Sequence, residues 1–567
     1  MDVRVPVMVQ DPLASQAGGL ALTESQTLKR ESHLLDGPVS ERVAVLDLDA
    51  ETGLCRKGVR FRPPRGKTPG SYRLRLPTPE DLVGPGGNQF RAVNVFATVL
   101  RTMTMFEEPD TLGRRLTWAF DAPQLLLVPH AGELPNAYYE RLSHSIQFFY
   151  FRADQPPYPT IYTSLSHDII AHETAHAILD GIAPDLYSAV TPQSLALHEA
   201  IADLTSLIMA FRSGTLRRWV MDQTGGRIDN ATAFSWIAEE FGRARDPLGR
   251  ADYLRSVFNN KTLDPDDRTL DEQGRPNLVR RYEPHLLCQV LTGALYTVMV
   301  NIHEQLKGQY GGDDPAARQR AAAKALYQAA QRFKRMILRA LDFLPPGEVS
   351  FGDYGRAIIA SDQASYPSLY RERTWICDEF VRRRMVPDRQ ALEVETNLEH
   401  PALRDADLEA LLHDDWAAYD FANRQRELLR IPEDVPFQVR PRLDVTKLYY
   451  QGGGRRAYTR ELLFKVAWEQ ADPPGRPSRL ITVGTTLVVD WRTKRLRACL
   501  TTDHSAEQQA DRDLLVRHLA AEGLIRLDQH AVGPDGNLLG GAVTGQTVNG
   551  LMRLHGTARL LHIVGES

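Results

Sequence analysis

The sequence predicts an α+β protein: a mixed N-terminal sheet subdomain and a helical C-terminal subdomain over residues 91–388, then a small extra α+β domain over 441–567. Three observations predict it. Short apolar runs of strand type fall before residue 155. Three strong helical periodicities follow, at 165–182, 193–212 and 284–306. A hairpin pattern beside a helical pattern occupies the end of the chain.

The elements follow in order. Residues 1–90 read as an arm and linker: 1–40 are polar with little periodicity, a strand is expected at 42–48, and RPPRGKTPGSYR is loop composition. Residues 93–106 have helical spacing, and 124–128 and 145–151 are apolar enough for strands. A helix-rich tract runs over 316–386, broken at PPGEVSFGDY. Residues 389–440 read as a helical linker, with helices at 405–412 and 416–429. In the last domain a helix is expected at 459–469, a hairpin at 480–490 and 495–501 across WRTK, and a helix at 506–522.

Composition narrows the function. The chain has 567 residues, 43% hydrophobic and 25% charged, which is ordinary for a globular protein. A net charge of -4 gives no electrostatic case for nucleic acid. The longest apolar runs fall short of the roughly 18 residues that a membrane span needs. Cys55, Cys288, Cys377 and Cys499 are far apart and form no CxxC pair, so neither a disulfide framework nor a cysteine-zinc site is expected. The first residues lack a charged leader followed by an apolar stretch, so the default expectation is the cytoplasm, with leaderless export left open.

The strongest chemical signal is HETAH, His172–His176, within SLSHDIIAHETAHAILDGIAP. Ser164 or Ser166 can cap the helix, and Gly181 and Pro184 end it. Residues four apart lie about 5–6 Å apart on one helix face, so His172 and His176 can bind one zinc ion. Glu173 stands beside them, placed to polarise a water rather than to ligate. In isolation HExxH is a chance motif on an exposed helix. A second signal argues against chance. Thr191-Pro192-Gln193 starts another helix, and on it Glu199 and Asp203 share a face. Glu199 supplies the carboxylate of a His2Glu site, and Asp203 can accept the far N–H of a ligand histidine.

HETAH followed by HEAIAD (His198–Asp203) resembles the thermolysin-like zinc metallopeptidases, the latter in place of that family's NEAxSD. The resemblance covers about residues 90–388. Tyr187 stands eleven residues after His176, where the family carries a tyrosine. Trp236–Ser256 is similar to the segment ending in LRS, which proposes Arg255 as the holder of a substrate carbonyl. The stretch from His285 to Tyr296 resembles the segment of the active-site histidine and proposes His285. Asn136 and Ala137, in PNAYY, match the edge strand that pairs with substrate backbone. Ile169 and Leu254 match positions lining the pocket for the residue after the scissile bond. Both are apolar.

Departures are equally specific. Arg280 stands where the family has an aspartate five residues before its histidine, and Glu283 is differently placed. Asp168 matches a calcium-ligand position, but residues 205–212 carry no acid, so the family's double calcium site is not expected. His130, His144 and His167 read as structural.

The resemblance implies a zinc-dependent endopeptidase acting on peptides or proteins. His172, His176 and Glu199 would hold one zinc, Glu173 would be general base and then general acid, and Tyr187 and His285 would stabilise the oxyanion. A zinc aminopeptidase would need an anchor such as GxMEN, which is absent. A zinc-binding scaffold without catalysis is the alternative from another class; Glu173 argues against it, since a structural ion needs no base. Natural substrate and oligomeric state are not legible.

Overall fold

The structure is a computed structural model. It describes residues 2–560 apart from 13–19, 29–30, 32, 50–51, 79–81, 83, 155–158, 230–235, 239–241, 243, 245–254, 272–273, 312–313, 369–370, 452–454, 473–478, 504, 527–542 and 558–559. It is mixed in class, with helices and strands throughout, as expected for α+β.

The first residues are built into the molecule rather than forming a loose arm. Val3–Met8 runs antiparallel to Thr23–Leu28, with Val3 opposite Leu28. Val3, Val5 and Val7 are buried in the main core. Met8 donates its N–H to Asn94 Oδ1 at 2.8 Å, and Gln10 donates its side-chain amide to Asp168 Oδ2 at 3.0 Å. The expectation of an arm over 1–90 is corrected by the alternation V-R-V-P-V. It is a period-2 pattern, and burying each valine contributes about 1.5–3 kcal/mol.

A four-stranded sheet follows. Val43–Val45, Leu125–Val128 and Ser145–Phe148 pair in parallel, and Ala137–Glu140 lies antiparallel to Ser145–Phe148 at one edge. The largely buried helix Asn88–Glu107 packs beside them. Three helices then set the centre of the molecule: the motif helix His167–Ile182, the glutamate helix Pro192–Arg212 and the long helix Pro284–Tyr310. They match the three expected helices to within a few residues. The last two are long and apolar enough to cross a membrane, but the apolar window of the glutamate helix is wholly buried and that of the long helix is 67% buried. Both serve as core helices here. Pro315–Arg339, Phe351–Ser365 and Arg371–Arg382 complete the helical part. Ser350 and Asp353 form a reciprocal cap at the start of Phe351–Ser365.

The C-terminal part is an eight-stranded sheet with the helix Ala506–Ala521. The helix expected at 459–469 is instead the middle of an 18-residue strand, Arg455–Asp472. That strand pairs antiparallel with Leu443–Gln451 and Arg479–Asp490. The hairpin of Arg479–Asp490 with Leu496–Thr501 forms as expected. The misreading has a physical cause. Leu462, Phe464, Val466 and Trp468 face one apolar cluster while Leu463 faces another, so the strand is buried on both sides and reads as a continuous apolar run.

Residues 389–440 are likewise more than a linker. Leu403, Leu408, Leu411, Phe421 and Leu429, from four short helices, cover one face of the sheet. The other face joins the main core through Val445, Leu463, Val488 and Ala498.

Buried charges weld the sheet to the helical body. Lys447 Nζ meets Asp342 Oδ2 at 2.6 Å, and Arg114 meets the other oxygen at 2.9 Å. Lys447 and Asp342 are 0% and 1% exposed. Burial pushes the Asp342 carboxyl up, but Arg114 and Lys447 outweigh it and hold the group below its usual range. A depressed carboxyl contributes stability that is fully present above its unfolded pKa of about 3.9 and is lost as pH falls through the folded value. Lys447→Met should leave one oxygen of this buried carboxylate without its cation, Arg114 holding the other. We expect destabilisation of about 3–5 kcal/mol by urea unfolding at neutral pH, shrinking as the unfolding is repeated at progressively lower pH below about 4.

Candidate metal centre

The motif helix starts where Ser166 Oγ accepts the Ile169 N–H at 3.2 Å, which chooses Ser166 over Ser164 as the cap. Near its end Gly181 lies against Thr117, whose carbonyl oxygen would sit 2.1 Å from any added Cβ. Only glycine allows that approach. The glutamate helix packs along the motif helix and brings Glu199 to the two histidines.

The three side chains converge. His172 Nε2 and His176 Nε2 are 3.0 Å apart, and Glu199 lies 3.4 Å from each through its two oxygens. All three residues are buried. A tetrahedral ion with ligands at about 2.0–2.1 Å sets its ligand atoms about 3.3 Å apart. The spacing therefore suits one small ion. The buried Glu199 Oε2 makes no hydrogen bond among the described residues, and an ion is what would satisfy it. Without an ion, the charges compensate one another. Burial opposes the charge of His172, yet Asp203 and Glu199 raise it to about 10. Burial also opposes ionisation of Glu199, but His285, His176 and His172 hold it well below the carboxylate range.

Behind the ligands lies a second layer. Asp203 Oδ1 is 3.0 Å from His172 Nδ1, as the ExxxD spacing predicts. Arg255 grips Asp203 with Nε at 3.1 Å and one Nη at 2.9 Å, and its other Nη takes no partner among the described residues. His198 is the neighbour that sequence reading missed. Its Nδ1 lies 2.6 Å from His176 Nδ1, with the rings stacked, so it orients the second ligand as Asp203 orients the first. The only sequence signal was a histidine in place of asparagine immediately before Glu199.

Glu173 is buried and accepts the Tyr139 N–H through Oε2 at 3.0 Å. Burial raises it to about 8, with His172 pulling the other way. This bond ties Glu173 to the edge strand Ala137–Glu140. Asp180, which drew no attention in the sequence, secures the same strand. Buried one turn beyond His176, it accepts the Tyr139 hydroxyl and Arg141 Nε, both at 2.8 Å. An acid inside the apolar stretch AILDGI was the available clue.

Of the remaining expected residues, His285 reaches the cluster, and the others are placed by contacts of their own. His285 Nε2 is 3.6 Å from Glu199 Oε2, while its Nδ1 is buried without a partner among the described residues. Glu283 pairs with Arg280 instead. Tyr187 packs with His198 at 6.2 Å between ring centres, under the Arg141 guanidinium, and its hydroxyl accepts the Arg141 N–H at 3.4 Å. Asn136 turns its Oδ1 back to the Ala137 N–H at 2.8 Å. Ala137 is buried in the edge strand and Ile169 is half-buried. Leu254 lies outside the described residues. Asp168 accepts from Gln10. His130 sits between Asp47 and Arg91, His144 stacks on Phe120, and His167 is buried, all consistent with structural roles.

This geometry predicts one divalent ion per chain by elemental analysis after metal loading. His176→Ala should abolish it. Asp203→Asn should keep it but weaken it by about 10–100-fold in chelator competition.

No protein-family model matches the chain, and no curated protein matches it in sequence.

Proposed function

We propose that the chain is a zinc-dependent peptidase of thermolysin-like fold that hydrolyses internal peptide bonds. The observation that carries the reading is the convergence of His172, His176 and Glu199 with a buried carboxylate, Glu173, adjoining them and held against a sheet edge. A purely structural ion would use four protein ligands and no neighbouring base. Zinc is the favoured ion because two imidazoles and a carboxylate with one open position are its common catalytic set.

When bound, zinc would polarise a peptide carbonyl and lower the pKa of a water toward about 7. The chain's own residues do the rest. Glu173, which a neighbouring cation would hold ionised despite its burial, takes a proton from the attacking water and hands it to the leaving amine nitrogen. The Tyr139 N–H fixes which way that carboxylate faces. The edge strand Ala137–Glu140 offers main-chain groups to an extended peptide, and the Arg255 Nη that has no partner among the described residues is available to a substrate carbonyl. Tyr187 and His285 donate hydrogen bonds to the developing oxyanion. By the resemblance, Ile169 would border the pocket for the residue after the scissile bond, which favours an apolar side chain there.

One observation favours the second reading, a weakened or inactive zinc-binding scaffold. His285 Nδ1 has no acidic partner among the described residues to fix the ring's tautomer.

A peptide-library assay with and without chelator separates the two. The peptidase reading predicts chelator-sensitive cleavage. It further predicts that Glu173→Gln keeps its zinc and loses at least about 10²–10⁴-fold in kcat. Full activity in that variant would remove Glu173 from the mechanism. A zinc-loaded wild type that cleaves nothing would leave the scaffold.

A further inference from the structure

The C-terminal domain has no assigned task, yet it touches the segments that carry the candidate site. Asp511, on helix Ala506–Ala521, is 4% exposed and accepts from Arg281 at 3.4 Å. The same helix packs against the glutamate helix, where the side chain of Gln193, the second residue of that helix, bears on the Asp511 carboxylate. Arg281 also pairs with Glu507 on the same helix. Beside it, the Tyr282 ring packs on His518 with centres 5.3 Å apart. Arg281 and Tyr282 stand four and three residues before His285.

The next residue, Arg512, is 3% exposed and reaches the same helix start from another direction. Its Nε meets Glu348 Oε2 at 2.8 Å, and its Nη1 meets Asp472 at 2.8 Å. Glu348 Oε2 in turn accepts the hydroxyl of Thr191, the residue preceding the glutamate helix. A further tie joins Arg440 to Asp185 at 2.9 Å, two residues before Tyr187. Leu515 and Leu519 anchor helix Ala506–Ala521 in the main core, so it is a fixed support.

We infer that the C-terminal domain is part of the catalytic unit, with Asp511, Arg512 and Arg281 acting as positioning residues that hold Glu199 and His285 in register. The inference rests on the peptidase reading for its kinetic readout only. Its logic lies in His285. The imidazole Nδ1 finds no acid among the described residues, and Glu283 is taken by Arg280. The placement of the ring therefore depends on the backbone that carries it. That backbone is docked, through Arg281 and Tyr282, on a helix far away in sequence. A misplacement of about 1 Å can cost about 10²-fold in rate, so loosening this dock should be felt at the reaction without any loss of zinc ligands.

The test uses the full chain loaded with zinc. Asp511→Asn is isosteric, and Arg281→Ala and Arg281→Lys bracket the charge. Zinc content should stay at one per chain in all three. Amide hydrogen exchange over 281–290 and 191–199 should accelerate by about tenfold or more in Asp511→Asn and Arg281→Ala. In a model-peptide assay kcat should fall by about 10–100-fold with KM within about twofold, and Arg281→Lys should recover most of it. If Arg281→Ala fails to fold, Asp511→Asn carries the measurement. Unchanged exchange in Asp511→Asn overturns the inference, as does faster exchange with unaltered kcat in a cleaving enzyme. A wild type that binds zinc but cleaves no peptide overturns the peptidase reading instead, and the exchange arm still decides the positioning role.

Discussion

Everything at the centre of this molecule depends on the packing of two helices. His172 and His176 share a face because they are four apart, but a face with two imidazoles binds little unless a third ligand meets it. The glutamate helix supplies it, buried along almost its whole length between the motif helix and the long helix Pro284–Tyr310. Glu199 arrives 3.4 Å from both rings. Gathering a carboxylate and two imidazoles in a buried site is costly unless their charges are matched. Here Asp203, Arg255 and His198 do the matching and simultaneously fix the orientations of the ligands.

The edge strand makes the cluster directional. Tyr139 offers its N–H to Glu173 and its hydroxyl to Asp180. One residue thus links the sheet to the motif helix at two points, one beside the ligands and one a turn beyond them. Arg141 extends the link to Tyr187 through its main chain and its guanidinium. The edge strand and the acid beside the candidate metal site are therefore held by one hydrogen-bonded unit.

The site was legible in the sequence where its logic is local. HETAH and the Glu199–Asp203 pair are spacings along single helices, and the helix period places them without further information. Arg255 and His285 were legible only through resemblance, because their approach to Glu199 depends on how distant segments fold. His198 and Asp180 act through contacts that no spacing announces. The same division holds for the fold. Amphipathic or capped helices were readable, whereas the strand Arg455–Asp472, apolar on both faces, could not be told from a helix by periodicity. Residues 389–440 looked like a linker because each of their helices is short, and their meaning lies in the sheet they cover. The valines at the start were passed over because three alternating residues are a weak signal until a partner strand is seen.

X-ray absorption at the zinc edge of the loaded protein tests the central claim most directly. The account predicts a single site with nitrogen and oxygen neighbours only, at about 2.0–2.2 Å, of which two are imidazoles. Sulfur in the coordination shell, or an unchanged spectrum after His172 and His176 are replaced together, would contradict it.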